Sequence, residues 1–221
     1  NWRHPEGPGS SLEGRMDHPV VHVSLEDARA YAQWAGKRLP TEAEWEVVAR
    51  GAVNWLYPWG NDEGAVELPR GGTYPVGSVR GNRSPFGVYD MAGNVWEWVN
   101  DRYQYNYYSE SPPNDPPGPL TGTTRVMRGG CWYTNPFYLR VAYRFHDRDP
   151  LHVYNDIGFR SSPDNQRLPI FQAVVEALSL VPIFRFPGDE NPLYRRRCRR
   201  AGSVKRFDRK PKGTYGQGLA R

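Results

Sequence analysis

Thiols and imidazoles are the first side chains to ask about chemistry, and here they are few. The 221-residue chain has two cysteines and five histidines. Cys131 and Cys198 stand far apart in dissimilar surroundings. That favours free thiols over a disulfide and fits a reducing, cytoplasmic compartment. Cys131 could act as a nucleophile, but an inert buried thiol is the plainer reading. His146 and His152 stand beside Asp147 and Asp149. No cysteine or second carboxylate cluster falls at metal spacing around them, so both imidazoles read as contact residues and not as metal ligands.

Both histidines belong to the stretch from Arg125 to Arg160, where the legible chemistry is non-covalent contact. Its fixed points are Arg128-Gly129-Gly130, Trp132, Arg140, Arg144 and the closing Gly158-Phe159-Arg160. Between them no helical or strand period holds. From Tyr133 to Asp156 the chain uses no Lys, Gln, Glu, Met or Trp, although these types occur elsewhere in the sequence. An ordinary aromatic-rich loop would also look like this. The alternative is a fixed frame that displays interchangeable contact residues, with arginines tying irregular carbonyls and Trp132 and Phe159 packing inward.

The elements that must carry this stretch are short. With 23 Gly, 21 Pro, 8 Trp and 14 Tyr, the chain reads as loop-rich and pinned by aromatic side chains. Val20 to Val23 is a strand candidate. Ser24 opens a helix that Gly36 stops, with Asp27 as an imperfect capping partner. Thr41 and Glu44 make a complete capping box for a second helix, with Trp45, Val48 and Ala49 as its buried stripe before Gly51. Residues 57–100 read as short strands and turns, and residues 104–124 as a surface loop. Arg125–Met127 and Ile157–Arg160 read as the strands that open and close the displayed stretch.

Past Arg160 the composition shifts, and the domain boundary is placed at 161–166. Residues 161–221 carry a formal charge of +8 and residues 1–160 carry −3, against +5 for the whole. A helix is expected over Pro169–Leu180. The basic extension can bind nucleic acid or an acidic partner, pack back on the core, or remain solvated. No run approaches a membrane span, and the chain opens mid-motif at Asn1-Trp2, so a preceding portion is expected.

Several blocks in residues 1–160 resemble the formylglycine-generating enzyme (sulfatase-modifying factor) family: WRHPEGPGSS, DHPVVHVS, KRLPTEAEWE, YPWGN, PVGS, GVYDMAGNVWEWV, RVMRGGCW and GFR. The resemblance implies an α+β, C-type-lectin-like fold with a small twisted antiparallel sheet and two helices. It also implies a copper-dependent cysteine oxidase whose two cysteines follow the RGG-Ser-aromatic motif. Thr134 and Leu139 stand at those positions here, and Cys131 takes the serine position. One thiolate does not supply paired soft-sulfur ligation, so no copper is expected and the chain is expected not to be an enzyme. A divergent copper oxidase of this family is the alternative. The resemblance further implies a calcium ion held by Asp90, Glu97 and the carbonyls of Gly93 and Val95. The family's second calcium site is expected to be missing, because the run between YPWG and PVGS is too short.

The Arg125–Arg160 stretch also resembles the variable region of diversity-generating retroelement proteins. In that family a reverse transcriptase mutates template adenines, so Asn codons change at their first two bases. Such codons reach every amino acid except Lys, Gln, Glu, Met and Trp, and one adenine change converts a Ser AGC codon to the Cys codon TGC. The resemblance implies a ligand-binding protein whose contact residues are Cys131, Tyr133, Thr134, Asn135, Phe137, Tyr138, Tyr143, Phe145, His146, Asp147, Asp149, Leu151, His152, Tyr154 and Asn155. About a third of the aromatics among them are expected to be core. The partner, a protein or another ligand, is not encoded in a surface that was varied by copying.

Overall fold

Ser24 and Thr41 start the two longest helices by the same device. The Thr41 hydroxyl accepts from the Glu44 amide at 3.2 Å, and the Glu44 carboxylate accepts from the Thr41 amide at 2.8 Å. Ser24 and Asp27 form an equivalent box, complete because the shorter carboxylate still reaches the Ser24 amide at 2.9 Å. Each box satisfies two N–H groups that a helix leaves orphaned. In this computed structural model, which describes residues 1–163, α1 runs Leu25–Trp34 and α2 runs Glu42–Arg50. Trp45, Val48 and Ala49 of α2 are fully buried, as their spacing requires. The expected helix at Pro169–Leu180, and the basic extension beyond residue 163, lie outside the described residues.

Five strands follow in chain order: β1 Lys37–Arg38, β2 Trp96–Arg102, β3 Arg125–Arg128, β4 Ile157–Phe159 and β5 Ser162–Pro163. A short helix, α3 (Tyr107–Glu110), interrupts the loop expected over 104–124. β1 and β5 pair antiparallel, which ties the far end of the described chain to the turn between α1 and α2. The larger sheet has the order β3-β2-β4, with β3 antiparallel and β4 parallel to the central strand. It is therefore mixed where an antiparallel sheet was expected.

The pairing decides where residues 129–156 must run. Glu97 opposes Arg128 on one side and Gly158 on the other. The chain thus leaves β3 and enters β4 at the end of the sheet where β2 begins, and the intervening stretch spans that end. Gly129 and Gly130 make the exit with φ of 94° and 78°, a left-handed pair that costs residues with a Cβ more. Gly158 is needed for space. A Cβ there would come within 2.5 Å of the Val20 carbonyl oxygen.

The Val20–Val23 segment pressed against Gly158 is not a strand. Val20, Val21 and Val23 are buried, yet His22 between them has φ of 58°. A left-handed residue breaks the pleat, so the segment packs by its side chains and gives its His22 amide to the Tyr154 carbonyl at 2.8 Å. The central cluster joins Trp45, Val48 and Ala49 of α2 to Met91, Val99, Val126 and Val141.

Candidate functional site

Two buried ion-pair systems hold the ends and the middle of the 125–160 stretch. Arg128, fully buried, donates to Glu42 at 2.8 Å, to Glu46 at 2.6 Å and to the Val141 carbonyl. Arg144 donates to both oxygens of the same Glu42, at 2.7 and 2.8 Å, and lies over the rings of Tyr103 and Tyr108. Arg160 grips Glu97 with two N–H groups at 2.5 Å and reaches the Asp90 carbonyl at 3.1 Å. Trp45 donates its indole N–H to the same Glu97 at 2.6 Å. These guanidiniums therefore pin carboxylates as well as carbonyls. Removing one partner of such a pair leaves an uncompensated charge in a dry interior.

Between the pins the backbone is irregular and self-capped. The Thr134 hydroxyl accepts from the Cys131 amide at 2.8 Å and lies 3.0 Å from its sulfur. The Asn135 side chain accepts from the Phe137 amide and starts a 3-10 turn at Pro136–Leu139. Val141 donates to the Leu56 carbonyl, and Phe145 exchanges two backbone bonds with Met127 of β3. The Asp149 side chain accepts from the Leu151 amide, and Pro150 accepts from Leu25 at the start of α1.

Of the fifteen expected contact residues, Tyr133, Asn135, Phe137, Tyr138, Asp147, Asp149, Leu151, His152 and Asn155 are exposed. Tyr143, Phe145, His146 and Tyr154 are half-buried. Cys131 and Thr134 are buried at 2% and 7% exposure, which corrects the expectation that they face a ligand. Their side chains close the turn that leaves the RGG motif. Burial pushes the Cys131 thiol up, with the Thr134 hydrogen bond pulling the other way, so the sulfur is held protonated. Trp132, expected to face inward, is only half-buried, whereas Phe159 is fully buried.

The aromatic side chains form two groups. Phe137, Tyr138 and Tyr143 meet edge to face at 4.8 to 6.0 Å, with Arg140 over the Phe137 ring. Tyr133 donates to the buried Asp156, which also faces Arg148, and Arg148 lies over Tyr154. Phe145 links the groups, stacked on Trp96 at 4.7 Å while Trp96 also meets Tyr143. His146 stacks on Tyr103 at 3.6 Å, and His152 pairs with Asp149 at 2.9 Å. Asp156 and Arg148 were not singled out from sequence. Their type is common on surfaces, and only the fold shows that the carboxylate is buried beneath Tyr133.

The residues expected to hold calcium sit on a turn with Asp90, Gly93 and Asn94 all in the left-handed region. Asp90 accepts from the Gly77 amide through one oxygen, and the other is buried with no hydrogen-bond partner. Burial pushes its carboxyl up to about 6, against the Gly77 amide and the Arg160 charge. An orphaned buried carboxylate oxygen fits a hard cation. Glu97 fits less well, since Arg160 and Trp45 already engage both of its oxygens. Among the described residues no group of three or more His, Cys, Asp or Glu side chains is arranged so as to hold a metal ion.

Residues 1–164 match the sulfatase-modifying factor enzyme 1-like domain. The chain belongs to that family. Relatives 40–47% identical over about three quarters of the chain are named formylglycine-generating enzymes. One, from Thermomonospora curvata, is 47% identical over 193 residues, covering 74% of this chain and 61% of its own. A Bos taurus relative named inactive C-alpha-formylglycine-generating enzyme 2 is 45% identical, over 76% of this chain and 58% of its own. The chain thus spans about three fifths of the length of these relatives. Among solved structures, Treponema denticola variable protein 1 is 25% identical with a TM-score of 0.55, covering 72% of this chain and 76% of that one. The fold is the α+β, C-type-lectin-like one. The expectation that the chain is not an enzyme is corrected by these relatives, whose names point to a family of enzymes.

Proposed function

We propose that this chain is a ligand-binding member of the family, a lectin-type frame displaying a surface at residues 131–156 that retroelement copying has diversified. One observation carries the reading. Tyr133, Phe137, Tyr138, Leu151 and His152 are exposed on irregular backbone whose anchors, Arg128, Asp156 and Arg160, are buried. Large rings with few rotors give contact area at low entropic cost, and the intervening Asn, Asp and His add hydrogen bonds. The frame tolerates exchange at such positions because the pins, not the exposed rings, hold it. Likeness to a variable protein of the same fold supports the reading. The test is genomic and structural together. A near-copy of the coding segment, differing mainly at template adenines and lying beside a reverse transcriptase gene, is expected. A chain whose exposed positions in 131–156 are replaced together, with the pins kept, is expected to fold. Loss of folding in that chain would remove the display reading.

Catalysis of the kind for which the relatives are named is the second reading, favoured by their identity over three quarters of the chain. It is tested by offering copper(I) and a cysteine-containing peptide and trapping any aldehyde with a hydrazide. Turnover that disappears in Cys131→Ser would establish it.

The calcium ion belongs to the first proposal as a structural part. Asp90 and the carbonyls of Gly93 and Val95 would hold it, with Glu97 contributing to the extent that Arg160 yields. Bound there, it would neutralise the buried Asp90 charge and stiffen the left-handed turn that feeds β2.

A further inference from the structure

The shortened run between the YPWG and PVGS turns does not collapse. With Pro136 and Leu139 of the 3-10 turn it encloses a cleft of about 510 Å³, within the ~300–1,000 Å³ typical of ligand sites. Tyr57 and Trp59 stack in its wall with centroids 5.3 Å apart and planes 6° from parallel. Leu68 and Leu139 supply apolar lining. The polar hydrogens of the two rings are already committed. The Trp59 indole donates to the Asp62 carbonyl at 2.9 Å, and the Tyr57 hydroxyl donates to Glu63 at 3.1 Å. Tyr57 is buried at 2% exposure, so what this wall offers a ligand is the π surface of the half-buried Trp59. Glu63 and Glu67 bring two carboxylates to the lining, and Glu67 has no hydrogen bond or ion pair among the described residues.

We propose that this cleft receives the guanidinium or ammonium group of a basic side chain carried by a peptide segment. A cation over an aromatic face gains from the ring quadrupole, and an acceptor-rich wall supplies the counter-charge. The aliphatic stem of Arg or Lys matches Leu68 and Leu139. Arg70, at the exposed margin, can donate to a backbone carbonyl of the same segment. An anionic ligand would meet two carboxylates, and a neutral apolar one would desolvate them without compensation. The cleft lies on the Pro136–Leu139 turn that also carries Phe137 and Tyr138, so one peptide can touch both. The inference does not depend on the displayed-surface reading, because its probe needs no cognate partner.

The test uses the full chain with ¹⁵N-labelled indoles and the Trp59 resonance assigned by Trp59→Phe. Acetyl-Gly-Arg-Gly-amide is expected to shift that resonance saturably. The citrulline analogue, isosteric but uncharged, is expected to bind about tenfold more weakly, the loss of a desolvated cation–π contact and its counter-ion. Glu67→Gln, an exposed and isosteric change, is expected to weaken the arginine peptide without affecting the citrulline one. Equal affinity for the two peptides, an unmoved Trp59, or indifference to Glu67→Gln would each overturn the proposal. The first two comparisons need no variant beyond the one that assigns the resonance.

Discussion

Arg128 and Glu42, 86 positions apart in the chain, are both fully buried and joined at 2.8 Å. The pair locks the first turn of α2 to the last residue of β3, where the displayed stretch begins. Glu42 also takes two bonds from Arg144 in the middle of that stretch. One carboxylate on the framework thus fixes two points of an otherwise irregular loop.

Breaking this junction should be severe. Glu42→Gln removes the carboxylate that pairs with Arg144 and, among the described residues, leaves buried Arg128 only the part-exposed Glu46 as counter-charge, and a loss of about 3–5 kcal/mol is expected. Urea denaturation with an unchanged slope would measure it. A loss below 1 kcal/mol would mean that the loop is held by something else.

The displayed residues should behave in the opposite way. Phe137→Ala, Tyr138→Ala and Leu151→Ala each remove a ring or branch that is 41–65% exposed. Each is expected to change stability by no more than about 1 kcal/mol. Tyr133→Ala should cost more, because its hydroxyl satisfies the buried Asp156 carboxylate. Thermal melts of the four variants would show that order, and equal losses throughout would contradict the exposed-ring assignment.

A pH dependence follows from Asp101. Burial raises its carboxyl from 3.8 to about 7, with the bond from the Glu42 amide pulling down and the charges of Glu42 and Glu44 pushing up. Between those values the folded chain holds a proton that the unfolded chain has released. This group therefore stabilises the fold at low pH, and its contribution is lost as pH rises through about 7. Asp101→Asn keeps an oxygen for the Glu42 amide without the charge. Its stability relative to the parent is expected to rise steadily from about pH 4 to pH 7 and to level off above. Melting temperatures across that interval would decide the matter, and a relative stability that does not rise with pH would refute it.

Calcium should act through Asp90. Adding the ion is expected to raise the melting temperature of the parent, and a chelator to reverse the rise, with Asp90→Ala unresponsive to both. A calorimetric titration with no heat and no shift in melting temperature would leave the buried Asp90 oxygen to be satisfied in another way.

Much of the frame is legible in the order of the residues alone. Ser24, Asp27, Thr41 and Glu44 announce helix starts because capping is local chemistry, decided within four residues. The RGG and GFR anchors and the Trp45 stripe are readable for a related reason. Turn geometry and apolar spacing are written in neighbouring positions, and the family blocks extend that reading to the whole frame.

Other features depend on residues distant in the chain. His22 takes a left-handed conformation as the Val20–Val23 segment meets Tyr154 and Gly158, so an apolar run that reads as a strand is not one. Cys131 and Thr134 turn inward because each satisfies the other. The parallel pairing of β4 with β2, and the cleft between Trp59 and Leu139, arise where segments some eighty residues apart or fewer are brought together. Sequence therefore determined which residues can cap, pack or contact. Only the tertiary structure decided which of them face water, because burial belongs to the assembled surface and not to any single segment.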